Sequence, residues 1–369
     1  MKVMILANYD VGLYQFRKEL IAELLKTNKV VISLPYGELI DPLKEMGCKF
    51  IDTPLDRRGI NPLTDLKLYF TYKKILKQEK PDLVITYTIK PNVYGGFACR
   101  MMKIPYAVNI TGLGTAFENG GLLRKTVSVM NKVACKKAKV VFFENEENRR
   151  MFVDEGIVGK SQTHRLFGAG VNLERYQVTE YPHGEMIKFL FMGRVMAEKG
   201  IDELFIAMQK LVDDGISCEL DVLGGYEEDY KEKIDMYERE GWLHYHGYQR
   251  DVRPFINACS CFVLPSWHEG MANTNLESAA SGRPVITSDV PGCSEAVVEG
   301  TSGFLCERKN ADDLAKVMKK FTELPYEERK AMGLAGRKHM EKVFDRKKIV
   351  EETIICLGVK KTCANVDCL

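Results

Sequence analysis

The chain has 369 residues, of which 45% are hydrophobic and 28% charged, with 53 lysines and arginines against 51 aspartates and glutamates. This composition is typical of a folded globular protein, excludes a disordered or fibrous one, and at this length predicts about two domains. The 11 cysteines form no CxxC pair and indicate neither a disulfide framework nor a zinc site, and no apolar run approaches the ~20 residues of a membrane-spanning helix.

The first half alternates short apolar, β-branched segments with helical ones, the pattern of parallel strands joined by helical crossovers. Because Met1 and Lys2 lead directly into the first strand, the sequence predicts a cytoplasmic protein without a signal peptide. The predicted strands are 3–8, 30–34, 50–53, 83–88, 107–110 and 140–144, and the predicted helices are 12–26, 62–78, 92–102 and 122–137.

The last of these helices combines an apolar face with many basic residues. Leu122, Thr126, Val129 and Val133 fall on one helical face. The basic residues beside them are Arg124, Lys125, Lys132, Lys136, Lys137 and Lys139. Residues 1–180 as a whole carry 28 basic against 19 acidic side chains. The helix is therefore a candidate for binding an anionic membrane surface, and a core-packing helix with a solvated basic face is the alternative.

The alternation restarts at residue 187, which predicts a second α/β domain. Its strands are predicted at 187–192, 219–223, 245–248, 261–264 and 285–288. The segment 171–185 contains turn-forming residues without periodicity, so the interdomain linker is placed there. The domains are thus predicted at 1–175 and 176–344, with a C-terminal helix near 345–360 as a candidate to pack back on the first. Two Rossmann-like, doubly wound domains of this kind are expected to face each other across a cleft.

Two glutamates stand eight residues apart after the strand at 261–264, at Glu269 and Glu277. Eight helical residues rise about 12 Å, so the two carboxylates cannot share a proton as a dyad. The spacing suits two hydroxyl-rich groups on either side of a diphosphate, with the free N–H groups of Gly270, Met271 and Ala272 facing the anion at a helix start. A loop glutamate and a solvent-facing helix glutamate without a ligand remain the alternative.

A second candidate element follows the strand at 187–192, where Gly193 and Arg194 precede Lys199 and an amphipathic helix. Arg194 offers a planar fork of donors and Lys199 a mobile point charge, which together would neutralise a leaving diphosphate without a divalent metal. An ordinary surface ion pair is the alternative for this segment. The strand at 219–223 ends at Gly224 and Gly225, which allow a ligand to approach the backbone closely or simply form a tight turn.

Taken together, these elements resemble the retaining GT-B glycosyltransferases of family 4, and the resemblance covers nearly the whole chain. It implies that Arg194 and Lys199 bind the diphosphate, that Glu269 contacts the donor sugar, and that Glu277 holds the ribose hydroxyls. The three catalytic candidates are Arg194, Lys199 and Glu269. The donor-binding candidates are Gly193, Gly224, Gly225, Tyr248, Gln249, Gly270, Met271, Ala272, Leu276 and Glu277.

The first half is similar to a subset of this family that extends lipid-diphosphate-linked sugars. The resemblance is carried by a Gly-rich loop at 109–117, which follows a strand. The acceptor-side candidates are Gly12, Arg17, Thr111 and Gly112, and a structural turn is the alternative for both segments. Many family members have a histidine on this side, but the first histidine here is His164, so a histidine base from residues 1–163 is excluded. Asp10 and Glu118 remain candidate bases, and a front-face reaction needs none.

The sequence thus predicts transfer of a hexose or N-acetylhexosamine from a UDP-sugar, as co-substrate, to a lipid-linked saccharide at the inner membrane face. No metal, other cofactor or nucleic-acid partner is expected. A soluble acceptor, a UDP-sugar epimerase of the same architecture and a non-enzymatic basic membrane-surface protein remain alternatives. A nicotinamide-dependent oxidoreductase is disfavoured because the first strand leads into residues 8–15 without a G-x-G-x-x-G pattern.

Overall fold

The computed structural model describes residues 1–56, 61–112 and 121–359. It divides into two compact units, one formed by Met1–Ala169 with the described part of Lys347–Leu369, and the other by Gly170–Arg346. The first unit thus ends at Ala169 in the structure, whereas the sequence predicted a boundary after residue 175. Throughout the described ranges, every helix is too short or too polar to cross a bilayer.

The first unit is a seven-stranded parallel sheet with helical crossovers. Its strands are β1 (Lys2–Leu6), β2 (Lys29–Leu34), β3 (Lys49–Asp52), β4 (Leu83–Tyr87), β5 (Tyr106–Ile110), β6 (Val140–Phe143) and β7 (Thr163–Arg165). Its helices include α1 (Asp10–Leu25), α2 (Ile40–Glu45), α3 (Pro62–Glu79), α4 (Gly96–Met102), α5 (Gly121–Cys135) and α6 (Glu146–Asp154). The strand order is β3-β2-β1-β4-β5-β6-β7. The central strands are buried on both faces, which explains why they are continuous apolar runs in the sequence.

The second unit repeats this design with six parallel strands. They are β8 (Ile187–Met192), β9 (Cys218–Leu223), β10 (Leu243–Gly247), β11 (Cys261–Leu264), β12 (Val285–Ser288) and β13 (Gly303–Cys306). The helices are α7 (Ile201–Asp213), α8 (Lys231–Glu240), α9 (Arg253–Ala258), α10 (Asn273–Ala280), α11 (Ala311–Thr322) and α12 (Tyr326–Val343). The order β10-β9-β8-β11-β12-β13 matches the order of the first six strands of the other sheet. The chain reverses direction across this sheet between β8 and β11, which is where ligands bind in doubly wound folds.

The C-terminal helix α13 (Arg346–Leu357) returns to the first unit. Its Ile349, Ile354 and Leu357 side chains are buried in the same hydrophobic core as strands β1, β2 and β4. The last described turn is fixed by Lys139, whose ammonium group donates a hydrogen bond of 2.7 Å to the carbonyl oxygen of Leu357. The final helix is therefore part of the N-terminal fold although it is distant from it in sequence.

The segment predicted as a linker, 171–185, packs onto the second unit. The N–H of Val171 donates to the carbonyl oxygen of Phe344 at 2.8 Å, and the side chains of Tyr176 and Tyr181 are buried. The main partner of this segment is the fully buried Arg283. Its guanidinium donates to the carbonyl oxygens of Thr179, Glu180, Ile256, Asn257, Ser281 and Gly282 and to the hydroxyl of Thr179. One buried arginine thus holds three segments of the second unit together.

Candidate active site

The sequence-predicted donor residues follow the two strands that flank the reversal point of the second sheet. Gly193 and Arg194 come directly after β8, and the loop carrying Glu269 begins after the end of β11 at Leu264. Strands β8 and β11 are adjacent and parallel, so their carboxyl ends lie at the same edge of the sheet. The fold therefore brings together two motifs that are about seventy residues apart in sequence.

Glycines at the strand ends let these loops approach each other closely. Gly224 has a φ of +142°, and a Cβ there would lie 1.8 Å from the carbonyl oxygen of Gly193. Gly200 has a φ of +70°, and a Cβ there would lie 2.1 Å from the carbonyl oxygen of Pro265. Only glycine fits at either position, because the obstacle is main chain and cannot rotate away. The glycines thus place the loops after β8, β9 and β11 in direct contact.

Lys199 and Glu269 meet at the centre of this edge. The Lys199 ammonium group hydrogen-bonds the Glu269 carboxylate, and both side chains are largely buried, with 17% and 15% of their surfaces exposed. The hydroxyl of Ser266, a residue with no exposed surface, donates to the same carboxylate oxygen at 2.9 Å. Lys199 and Glu269 were predicted separately from the sequence, and Ser266 was not predicted. The structure forms them into one charged, oriented group.

The loop from Glu269 to Ala272 is closed by a later turn. A Cβ at Gly292, whose φ is +82°, would lie 2.5 Å from the carbonyl oxygen of Glu269. The N–H of Ala272 donates to the carbonyl oxygen of Gly292 at 2.7 Å. The prediction of a free Ala272 amide at a helix start is therefore wrong. Helix α10 begins only at Asn273, and in its first turn the N–H groups of Asn275 and Leu276 donate to the carbonyl oxygen of Ala272.

Glu277 lies on α10 and is partly buried. Burial raises the pKa of its carboxyl group to about 7, although the nearby hydroxyl of Tyr176 and the positive charges of Arg346 and Arg175 oppose this shift. A carboxyl group with this pKa is only partly ionised near neutral pH. The neighbouring Leu276 is fully buried and its N–H donates to the carbonyl oxygen of Ala272. The Leu276 side chain therefore packs α10 against the core, and its contact with a donor stays a prediction.

Four other predicted site residues, Arg194, Gly225, Tyr248 and Gln249, are partly or fully exposed. Half of the Arg194 side chain is exposed, and its guanidinium lies 3.4 Å from the carboxylate of Glu227. Tyr248 is exposed, while the amide nitrogen of Gln249 donates to the carbonyl oxygen of His246 at 2.7 Å. Gly225 has no atom within 4 Å of an added Cβ, so its identity is not required by packing. These residues are reachable by a ligand but are not held as tightly as Lys199.

Two aromatic side chains flank the loop of Glu269. The Trp267 indole donates to Glu203 at 3.0 Å, and the ammonium group of Lys309 lies 3.9 Å from its ring centroid. The Nε2 atom of His268 lies 3.5 Å from a carboxylate oxygen of Glu198. Trp267 thus anchors the loop to α7, and the partly buried His268 faces the segment that carries Lys199.

The acceptor-side candidates of the first unit lie at the carboxyl edge of its sheet. The Arg17 guanidinium pairs with Glu144 at 2.7 Å, and its central carbon lies 4.9 Å from the ring centroid of Tyr87. Both charged side chains are largely buried. Tyr87 ends β4 and Glu144 follows β6, so this cluster joins three elements at one edge. Glu144 was not predicted as a site residue because its partner is distant in sequence.

The other acceptor-side positions are less constrained. Gly12 lies inside α1, where an added Cβ would make only an ordinary contact with Tyr9. Asp10 is buried and accepts a hydrogen bond of 2.9 Å from the N–H of Leu39. Thr111 and Gly112 follow β5, and Gly112 has a φ of +148°. The rest of the predicted Gly-rich loop, and the candidate base Glu118 after it, lie outside the described residues.

One residue at the carboxyl edge of the first sheet has a strained backbone. Thr88 follows β4 directly and has a φ of +71°, which is unfavourable for a β-branched residue. Backbone strain of this kind is common at functional sites, where surrounding structure maintains it.

In residues 1–56, 61–112 and 121–359, His, Cys, Asp and Glu side chains form no group of three or more that would hold a metal ion.

Comparison with known proteins agrees with this architecture. Residues 179–339 match the family described as glycosyl transferases group 1, and residues 2–145 match the family described as glycosyl transferase 4-like. The N,N'-diacetylbacillosaminyl-diphospho-undecaprenol alpha-1,3-N-acetylgalactosaminyltransferase of Campylobacter jejuni is 27% identical over 335 residues, which cover 86% of this chain and 88% of that protein. The UDP-Gal:alpha-D-GlcNAc-diphosphoundecaprenol alpha-1,3-galactosyltransferase of Escherichia coli is 25% identical over 310 residues, covering 78% of each.

Solved structures extend the agreement to the fold. Anabaena HepE in complex with UDP and glucose superposes with a TM-score of 0.81 at 16% identity, and the match covers 98% of this chain and 100% of HepE. The two family matches correspond to the two parallel-sheet units and follow each other along the chain. The chain therefore belongs to the GT-B glycosyltransferases, with a glycosyl transferase 4-like domain followed by a domain of glycosyl transferases group 1.

Proposed function

We propose that this protein is a retaining, metal-independent glycosyltransferase that moves a hexose or N-acetylhexosamine from a UDP-sugar to a polyprenyl-diphosphate-linked saccharide. The observation that carries the proposal is the contact of Lys199 with Glu269, supported by Ser266, at the reversal point of the second sheet. Relatives aligned over most of their length act on undecaprenyl-diphosphate-linked sugars, as their names state. The contact supports the assignment of the donor site, and the names of the relatives support the class of acceptor.

The donor diphosphate is assigned to the two cations beside β8. Lys199 supplies a largely buried ammonium group, and Arg194 supplies a half-exposed guanidinium that can swing onto a ligand. Positive charge fixed in a partly desolvated site stabilises the charge that develops on a leaving diphosphate. The two side chains provide the neutralisation that a divalent cation provides in other transferases, which supports metal independence.

The transfer itself needs few protein groups. In the proposed front-face step, the bond between the sugar C1 atom and the leaving phosphate oxygen breaks while the acceptor hydroxyl oxygen bonds to C1 on the same face. The acceptor proton passes to the departing phosphate oxygen, so UDP leaves with the electron pair of the broken bond. Glu269 positions the sugar and accepts a hydrogen bond from Lys199. The lack of a histidine before His164 is consistent with this proton path.

The linkages formed by the relatives support retention of the configuration at the sugar C1 atom. UDP-hexoses of the common type carry the sugar in an α linkage, and the two relatives named above form alpha-1,3 linkages according to their names. An α product from an α donor means retention at C1. We extend this stereochemistry to the present chain because the alignment covers 86% of it in the Campylobacter case.

A lipid-linked acceptor requires that the enzyme reach a membrane surface. The first unit has exposed apolar and basic side chains that suit such a surface. Helix α3 exposes Leu63, Leu66 and Phe70 along one face, with Leu63 78% exposed. Val129 and Val133 are exposed on α5, whose core contacts are made by other residues such as Cys135. Exposed lysines accompany both helices at positions Lys67, Lys74, Lys77, Lys125, Lys132, Lys136 and Lys137.

We assign these side chains to one surface, the α3–α5 surface, which binds anionic lipid headgroups. Helices α3 and α5 each pack against α4 on the same side of the sheet. Apolar side chains flanked by lysines are typical of proteins that lie on an anionic membrane. The alternative in which Val129 and Val133 pack into a core is disfavoured by their exposure. Leu122, the first residue of the predicted apolar face, has its side chain outside the described part of the chain.

The experiment that tests the function is product analysis by mass spectrometry. Purified protein is incubated with a panel of UDP-sugars and a polyprenyl-diphosphate-linked saccharide, or with the same saccharide free of lipid. We expect a mass increase of one hexose or N-acetylhexosamine on the lipid-linked acceptor and release of UDP. Transfer only to the free saccharide would favour a soluble acceptor. Interconversion of UDP-sugars without any acceptor would identify an epimerase and overturn the proposal.

A further inference from the structure

The loop that joins β9 to α8, residues 224–230, carries two adjacent glutamates that contact the turn after β8. A carboxylate oxygen of Glu227 lies 3.4 Å from the Nη1 atom of Arg194. A carboxylate oxygen of Glu228 accepts a hydrogen bond of 2.8 Å from the N–H of Ala197, two residues before Lys199. Two carboxylates thus lie along the segment that carries both cations assigned to the donor diphosphate, although negative charge there opposes the binding of an anion.

Main-chain hydrogen bonds hold Glu227 beside Arg194. The N–H of Val195 donates to the carbonyl oxygen of Gly225 at 3.0 Å, and the N–H of Glu227 donates to the carbonyl oxygen of Val195 at 3.1 Å. Val195 is fully buried and follows Arg194 directly in the chain. Because the two main chains are bonded at this point, the folded turn itself brings the Glu227 carboxylate close to the Arg194 guanidinium.

The contact between Glu227 and Arg194 is loose. Its distance of 3.4 Å exceeds the length of a charge-assisted hydrogen bond, which is about 2.7–2.9 Å. The Arg194 side chain is 51% exposed, and exposed ion pairs are weak because solvent screens their charges. Lys199 differs, since it is largely buried and hydrogen-bonds Glu269. The Arg194 guanidinium can therefore exchange the Glu227 carboxylate for a phosphate group at little cost.

We propose that Glu227 is a positioning residue, which competes with the diphosphate for Arg194 and thereby speeds the release of UDP after transfer. Arg194 pairs with the diphosphate while the donor is bound, and the Glu227 carboxylate takes the guanidinium back as UDP leaves. No covalent bond changes in this exchange. The inference rests on the proposed function, since it assumes that Arg194 binds the diphosphate.

The chemistry of the product explains why such a competitor is useful. After transfer the terminal phosphate of UDP is no longer esterified to a sugar, so UDP carries more negative charge than the UDP-sugar near neutral pH. A site with two uncontested cations would therefore hold the product more tightly than the donor. Product release limits the turnover of many enzymes, and a carboxylate beside one of the cations weakens the hold on UDP.

The variant Glu227→Gln tests the proposal, because it keeps the size of the side chain and removes its charge. We expect the Kd of UDP, measured by isothermal titration calorimetry, to fall about two- to fivefold, the range for an exposed ion pair. Release of a fluorescent UDP analogue, followed by stopped flow, should slow by a similar factor. A damaged fold would weaken binding, so tighter binding cannot result from misfolding. Unchanged or weaker UDP binding would overturn the proposal.

The matched control is Glu228→Gln. It removes the same charge from the neighbouring position of the same loop, and its amide oxygen can still accept the hydrogen bond from Ala197. Since the Glu228 carboxylate is bonded to the main chain of Ala197, this variant is expected to leave the UDP affinity nearly unchanged. Equal tightening in Glu227→Gln and Glu228→Gln would show a general effect of negative charge and would reject competition for Arg194.

A double-mutant cycle with Arg194→Met separates this inference from the proposed function. If Glu227 acts through Arg194, Glu227→Gln no longer tightens UDP binding once Arg194→Met is present. Full tightening in the double variant would mean that Glu227 repels UDP directly, which contradicts the inference. If Arg194→Met weakens UDP binding but Glu227→Gln does not change it, the competing role alone fails. If the parent protein does not bind UDP, the proposed function fails and the competing role fails with it.

Discussion

The close approach of Gly224 to the turn after β8 gives a sharp prediction for Gly224→Ala. The φ of +142° lies in a region that side-chain-bearing residues avoid, at a cost of roughly 1–3 kcal/mol. The new Cβ would lie 1.8 Å from the carbonyl oxygen of Gly193, so the two strand ends must separate by more than an ångström. Overpacking of this kind typically costs a further 1–3 kcal/mol. The total predicted destabilisation is about 2–6 kcal/mol.

Differential scanning calorimetry with and without UDP measures this effect. At about 2–4 °C per kcal/mol for a domain of this size, the transition that UDP shifts should melt about 4–24 °C lower in Gly224→Ala. UDP affinity should fall as well, because the displaced Gly193 carries the turn of Arg194 with it. Gly225→Ala is the matched control, since an added Cβ there meets nothing within 4 Å and its φ is not positive. It should melt within about 2 °C of the parent.

The melting temperatures of the two variants show whether the close contact at Gly224 stabilises the site. If both variants melt within about 2 °C of each other, the strand ends separate at little cost and the tight arrangement of the site is refuted. If Gly224→Ala is destabilised but binds UDP as the parent does, the turn of Gly193 and Arg194 is structural and does not contact the donor.

Three further outcomes are expected. Lys199→Met should lower kcat/KM by about 10²–10³-fold because it removes a cation from the leaving diphosphate, while calorimetry shows a folded protein; an equal loss of folded protein would contradict a catalytic role. Product formation should continue in excess EDTA, and a complete loss restored by magnesium would exclude metal independence. Phe70→Glu should lower the affinity for anionic vesicles, measured by sedimentation, by about tenfold. This is the effect of losing one aromatic side chain that the membrane buries. Leu334→Glu, at another exposed apolar position, is its control, and equal effects of both would reject the α3–α5 surface.

The sheets were largely predictable because parallel strands buried on both faces must be apolar throughout. The segment Ile187–Met192 is such a run, and its predicted bounds match β8. By contrast, β7 comprises only Thr163, His164 and Arg165, an edge strand with partly buried polar residues and no apolar signal. β13 begins with a glycine, a poor strand former, and was not predicted as a strand.

The candidate site was predictable in its residue types and not in its contacts. Lys199 and Glu269 were both named, since a cation and a carboxylate after parallel strands point to a ligand edge. Their direct contact depends on the adjacency of β8 and β11, which only the sheet order reveals. The amide of Ala272 was assigned to an anion because its acceptor, the carbonyl oxygen of Gly292, comes later in the chain.

Arg283 affects how inactive variants of this protein should be interpreted. Its guanidinium holds together residues near 180, 256 and 281 through main-chain carbonyls, so no substitution supplies the same set of donors. A cell carrying a change at this position is expected to lose glycan product although each correctly folded molecule still turns over normally. Assays of crude extracts would attribute the loss to catalysis. Specific activity per folded molecule distinguishes a loss of catalysis from a loss of folded protein. We expect it to show that Arg283 determines how much folded protein is present.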